Sequence, residues 1–117
     1  MAIDFAEQIK SLDATLTSIE KVLNVDAMQT EIADLQIQVG APDLWDDQAN
    51  AQRVTGRLNS LQHDLERVTG LRQRVDDLEV LVELGTEEGD ADSMAEAETE
   101  LGRLRTLVES LEVRTLL

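Results

Sequence analysis

The chain has 117 residues, enough for one domain, and carries 25 acidic against 10 basic side chains for a net charge of −15. That balance excludes a surface built to grip a phosphate backbone, whose affinity comes mainly from Lys and Arg displacing counterions, and it favours basic protein partners. The absence of cysteine excludes disulfides and thiolate metal sites, and with Phe5 and Trp45 the only aromatics, the core must be a seam of aliphatic side chains, which suits packed helices.

The N-terminal "MAIDFAEQIK" lacks the basic start and apolar run of a signal peptide. No apolar stretch approaches the roughly 20 residues that a bilayer span requires. The expectation is a cytoplasmic protein with no membrane partner. Phe5, Ile9, Leu12, Leu16, Ile19 and Leu23 then step by four and three, which predicts a first helix with one apolar face. Asn24 and Val25 interrupt it. Asp26 is the expected N-cap of a second helix, with Gln29 completing a capping box, and Met28, Ile32, Leu35 and Val39 form its stripe.

"GAPDLWDD" at 40–47 holds the only proline and the only tryptophan. Gly40 is expected to end the second helix in the left-handed conformation, and Pro42 to prevent its continuation. After Asp43, Trp45 is read as a plug filling the wedge where two helices diverge, in preference to a ligand contact. Asp46 is the expected cap of the next helix, with Asp47 in its first turn.

That third helix is long. Val54, Leu58, Leu61, Leu65 and Val68 keep the rhythm, and Leu71, Val75, Leu78 and Val82 resume it after a step of three where four was due. About 40 residues would span roughly 60 Å. The slip beside Gly70 predicts a bend or register shift there. "GTEEGDAD" at 85–92 is the expected turn, and Met94, Ala97, Leu101, Leu104, Val108 and Leu111 mark the last helix. No strand-like alternation survives. The predicted fold is all-α: a single domain over 1–117, an elongated antiparallel helical bundle with coiled-coil-like packing and one long helix.

Chemistry is hard to place on such a frame. His63 is the only histidine, so no multi-histidine metal site forms within the chain, and its place beside Leu61 and Leu65 reads as surface. Carboxylates are abundant but lie on solvated faces, and acid–base work needs two in contrasting environments within a cleft. A calcium loop counted from Asp90 fails, because its sixth position is Ala95 and its twelfth Leu101. No phosphate-binding glycine loop occurs. Arg53, Arg57, Arg67, Arg72 and Arg74 fall in one helix and read as a face neutralising nearby acids. Residues 75–102 hold eleven acids and no base, a solvated face or an acidic tip for a basic partner. No catalytic residue, cofactor or metal site is expected, and the chain is not expected to be an enzyme.

"APDLWDD", then a long helix, then "LVELGTEEGDADSMAEAETELGRLRTLVESLEVRTLL", resembles the N-terminal domain of a bacterial class-I peptide chain release factor. The Pro-Asp-x-Trp corner is typical of the branch that reads UGA and UAA. The resemblance covers the whole chain and is most distinctive at 41–47 and 111–117. It implies a part in translation termination, with the helical domain projecting toward the stalk base of the large ribosomal subunit. There it would meet a basic ribosomal protein and the GTPase that recycles release factors. The decoding tripeptide and the Gly-Gly-Gln motif of peptidyl-tRNA hydrolysis belong to the family's other domains; no two glycines are adjacent here. The apolar, uncapped "TLL" at the end reads as a chain that continues. Two groups of residues follow as candidate sites: a structural corner of Gly40, Pro42, Asp43, Trp45 and Asp46, and a partner-binding tip of Glu87, Glu88, Asp90 and Asp92. The competing reading is a free-standing acidic coiled-coil scaffold or small chaperone subunit, which has no evident need of the tryptophan corner.

Overall fold

A computed structural model describes residues 3–117. The helices are α1 (Phe5–Leu23), α2 (Val25–Val39), α3 (Gln48–Glu88) and α4 (Ala91–Leu116), with a single 3₁₀ turn at Leu44–Asp46. No strand occurs among the described residues. The spacing of the aliphatic residues thus delivers the all-α class, and α3 runs unbroken through Gly70.

Local signals explain most of the boundaries. The Asp4 carboxylate accepts the Glu7 amide at 3.1 Å and starts α1. Between α1 and α2 the cap is Asn24, not Asp26. Asn24 adopts a left-handed φ of 55°, and its side chain accepts the Ala27 amide at 3.2 Å. Asparagine tolerates this backbone region because its short amide can bond locally, so the chain restarts a helix after one residue. Asp26 falls inside the first turn of α2, where its charge meets the positive end of the helix.

Packing divides the chain into two compact units. One joins the segment up to Val22 with Thr69–Leu117; it consists of α1, the second half of α3, and α4. Its core is built from Ile9, Leu12, Leu16 and Ile19 of α1, Leu71, Val75 and Leu78 of α3, and the α4 stripe from Ala97 to Leu111. The other, Leu23–Val68, packs α2 against the first half of α3. Met28, Ile32, Leu35, Leu44, Ala51, Val54, Leu58 and Leu61 form its core, with Leu23 and Leu65 against it. The slip in the α3 seam, from Val68 to Leu71, falls where the helix stops serving one core and begins serving the other.

Arginines on α3 clip helices together within each unit. Arg57 pairs with Glu31 of α2 through two bonds of 2.7 and 3.1 Å. Arg74 pairs with Glu100 of α4 at 2.7 and 3.0 Å. Arg72 reaches α1, donating to Glu20 at 2.7 and 3.2 Å, to Thr17 at 3.1 Å and to Asp13. Three of the five arginines expected to neutralise a solvated face therefore make specific, mostly bidentate clips between helices.

The hydrogen bonds from Arg74 hold the Glu100 carboxyl below its ordinary range, against an opposing push from burial. A carboxylate depressed in the folded state contributes stability above its unfolded value, near pH 4.3, and loses it as the pH falls through the folded value. The gap in thermal midpoint between the wild type and Arg74→Met should therefore be open at neutral pH and close as the pH drops below about 4. A gap that is constant across a melting series from pH 7 to 3 would show that the pair carries no stability.

Gly56 and Gly70 face open space, where an added Cβ meets nothing within 4 Å. Neither is required by packing. Replacing each by alanine should stabilise the protein by about 0.5–1 kcal/mol, the helix-interior difference between the two residues. A lower midpoint in Gly70→Ala would mean that the helix needs its glycine to adapt between the two cores.

Candidate functional site

The expected corner lies wholly in the Leu23–Val68 unit, and its side chains take different parts from those expected. Gly40 ends α2 in the right-handed region, at φ −77° and ψ −7°, and not in the left-handed one. Its amide bonds to the Gln36 carbonyl at 3.1 Å, and the Ala41 amide bonds to Gln38 at 3.2 Å, so the helix tightens into a 3₁₀ closure. Pro42 then prevents continuation, as expected. Asp46 does not cap α3. It ends the 3₁₀ turn, its amide bonded to the Asp43 carbonyl at 3.0 Å. The cap is Asp47, whose carboxylate accepts the Asn50 amide at 3.1 Å.

Trp45 is not the plug. It is 61% exposed, whereas its neighbour Leu44 is 7% exposed and sits in the core of the unit. Successive side chains of a 3₁₀ turn point about 120° apart, so a three-residue turn can send only one of them inward. The branched aliphatic side chain matches the Met28, Ile32 and Leu35 surface, and the indole is left in solvent. Asp43, Asp46 and Asp47 line an open cavity of about 380 Å³ at this corner, together with Gln38, Ala41, Leu44 and Asn50.

The acidic tip belongs to the other unit and is tighter than the eight-residue turn expected. Helix α3 continues through Glu88 and α4 begins at Ala91, so only Gly89 and Asp90 connect them. Gly89 takes φ +62°, where a side chain would be strained. The Asp90 amide bonds back to Gly85 at 3.0 Å and the Gly89 amide to Thr86 at 3.4 Å, the paired bonds of a Schellman ending. At Gly85 an added Cβ would come within 2.7 Å of the Met94 sulfur, so the flexible end of that side chain would have to shift.

The four tip acids are not equivalent. Asp90 is the N-cap of α4, accepting the amides of Asp92 and Ser93 and the Ser93 hydroxyl at 2.9 Å. The Ser93 hydroxyl bond, with the amide bonds behind it, holds its carboxyl below the usual range. Asp92 lies in the first turn of α4, where the helix dipole favours it. Glu87 and Glu88 lie exposed in the last turn of α3, where the dipole disfavours acids and where no base stands. Two of the four charges therefore serve the turn, and two sit where local stability would prefer the opposite sign.

The arginine clips went unrecognised in the sequence as links between helices. Their partners lie 26 to 59 residues away, and only the clustering of arginines in one helix hinted at them. His63 is exposed. Among the described residues, no helix is long and apolar enough to cross a membrane.

Residues 28–117 match the family model described as the PCRF domain. The chain is 54% identical over 115 residues to the protein named "Peptide chain release factor 2" of Pseudarthrobacter chlorophenolicus, covering 98% of this chain and 31% of that one. It is 52% identical over 117 residues to the protein of that name from Kineococcus radiotolerans, covering all of this chain and 32% of that one. The same-named protein of Mycolicibacterium smegmatis is 51% identical over 114 residues, covering 97% and 31%. The chain spans about a third of the length of the curated relatives it matches.

Proposed function

Because this chain belongs to the PCRF-domain family, we propose that it is the N-terminal helical module of a release factor acting in translation termination in the cytoplasm. The observation that carries the reading is the identity of about half over essentially the whole chain with relatives named "Peptide chain release factor 2". The module positions the factor on the ribosome, and codon reading and peptidyl-tRNA hydrolysis belong to the other two thirds of such a protein. A partner class follows from the charge. The α3–α4 tip presents acids that the turn does not need, and a basic protein at the stalk base of the large subunit is the complementary surface. The recycling GTPase is a further candidate partner for the same end.

The tip lies at the opposite end of α4 from Leu117, beyond which the relatives continue. Charge at such a tip acts mainly by steering, which raises the association rate and fades with salt. The test is Glu87→Gln and Glu88→Gln together in the full-length factor, with Asp90 and Asp92 retained because they serve the start of α4. Ribosome association should slow most at low ionic strength, while stop-codon choice and the peptide-release step stay unchanged. Rates equal to wild type across a salt series would reduce the tip to a solvated turn.

A further inference from the structure

We infer that the corner end of the Leu23–Val68 unit is a second docking surface, which takes a basic protein segment with an arginine or lysine laid against Trp45. The unit leaves its largest side chain unused. Folding of the 3₁₀ turn is satisfied by Leu44, and Trp45 remains 61% exposed. Ile37, at 75% exposed, and Val39 lie on the last turn of α2, at the same end of the unit. A tryptophan carries roughly 150–250 Å² of area that a partner can cover, which is why it recurs as an interface anchor.

Charge identifies the occupant. Residues 22–52 hold six acids and no base. Asp43, Asp46 and Asp47 line an open cavity at this corner, and Trp45, which does not line it, is exposed on the same short turn. The C-terminus of α2 adds its negative dipole end with no base in its last turn. A guanidinium or ammonium is attracted by these carboxylates and by the face of an indole alike. A nucleic-acid backbone is repelled by them, so the occupant is a protein rather than ribosomal RNA.

The inference rests on the proposed ribosomal role and concerns a different surface from the α3–α4 tip. Its test replaces Trp45 in the full-length factor and measures affinity for ribosomes programmed with a stop codon. Trp45→Ala should weaken binding roughly tenfold or more, and Trp45→Phe less, with the thermal midpoint unchanged in both. The photo-cross-linker p-benzoylphenylalanine placed at position 45 should label a lysine- or arginine-rich ribosomal protein. Wild-type affinity in Trp45→Ala overturns the inference and leaves the release-factor reading standing. Adducts with ribosomal RNA, with another part of the factor, or with a second copy of the chain also overturn it. A wild-type factor that does not bind ribosomes sinks the release-factor reading first, and this inference with it.

Discussion

Replacing Leu44 by alanine is expected to lower unfolding stability by about 2–4 kcal/mol, the range for emptying a buried leucine site. Replacing its neighbour Trp45 by alanine should change it by less than about 1 kcal/mol, as for most exposed positions. The contrast is unusual because the larger residue is the cheaper one to remove. Leu44 is one of only eight buried side chains in the core that α2, the 3₁₀ turn and the first half of α3 share. That small core has few other groups able to collapse into the hole, which places the loss in the upper part of the range. Urea denaturation of the two variants decides the matter, since midpoints shift at constant slope when only stability changes. A larger loss in Trp45→Ala than in Leu44→Ala would restore the indole as the corner plug and remove the exposed anchor.

The second large effect is expected at Arg72. Its side chain is 24% exposed and donates to Glu20, Thr17 and Asp13 of α1, with Asp76 at 3.8 Å on its own helix. Removing it leaves three carboxylates facing one another in a chain of net charge −15. Arg72→Ala should cost about 1–3 kcal/mol, the range for hydrogen bonds to charged groups, reduced from the fully buried case because solvent still reaches the cluster. Arg72→Lys should recover only part of this, since one ammonium cannot span the two Glu20 oxygens and Asp13 together. By contrast, Arg57→Ala should be nearly silent, because Arg57 and Glu31 are 51% and 43% exposed and screened by water. High salt should narrow the gap between Arg72→Ala and the wild type. Equal stability of the two proteins at low salt would mean that α1 is held by its apolar face alone.

The helices themselves were legible from residue order, because an apolar face is a local property. Leu16 and Ile19 of α1, Met28 and Ile32 of α2, and Leu101 and Leu104 of α4 all sit at the predicted spacing, and all are buried. Pro42 and the glycine-bearing stretch 85–92 marked two of the breaks between helices for a similar reason, since the constraint lies within the residue; that Gly89 takes the left-handed position came from the structure. Charge was equally local: the acidic run from Asp76 to Glu100 is visible without coordinates.

Tertiary structure decided what depends on a partner far along the chain. Asp46 and Asp47 are equivalent as candidate caps, and the choice between them falls to where the 3₁₀ turn ends. Leu44 and Trp45 are both apolar, and which of them turns inward is set by the shape of the α2 surface waiting for it. Arg57, Arg72 and Arg74 look alike in sequence, yet each finds its acid on a different helix, because the first half of α3 packs against α2 and its second half against α1 and α4. Periodicity specifies which face of a helix is apolar, but it carries no information about which face of another helix comes to meet it.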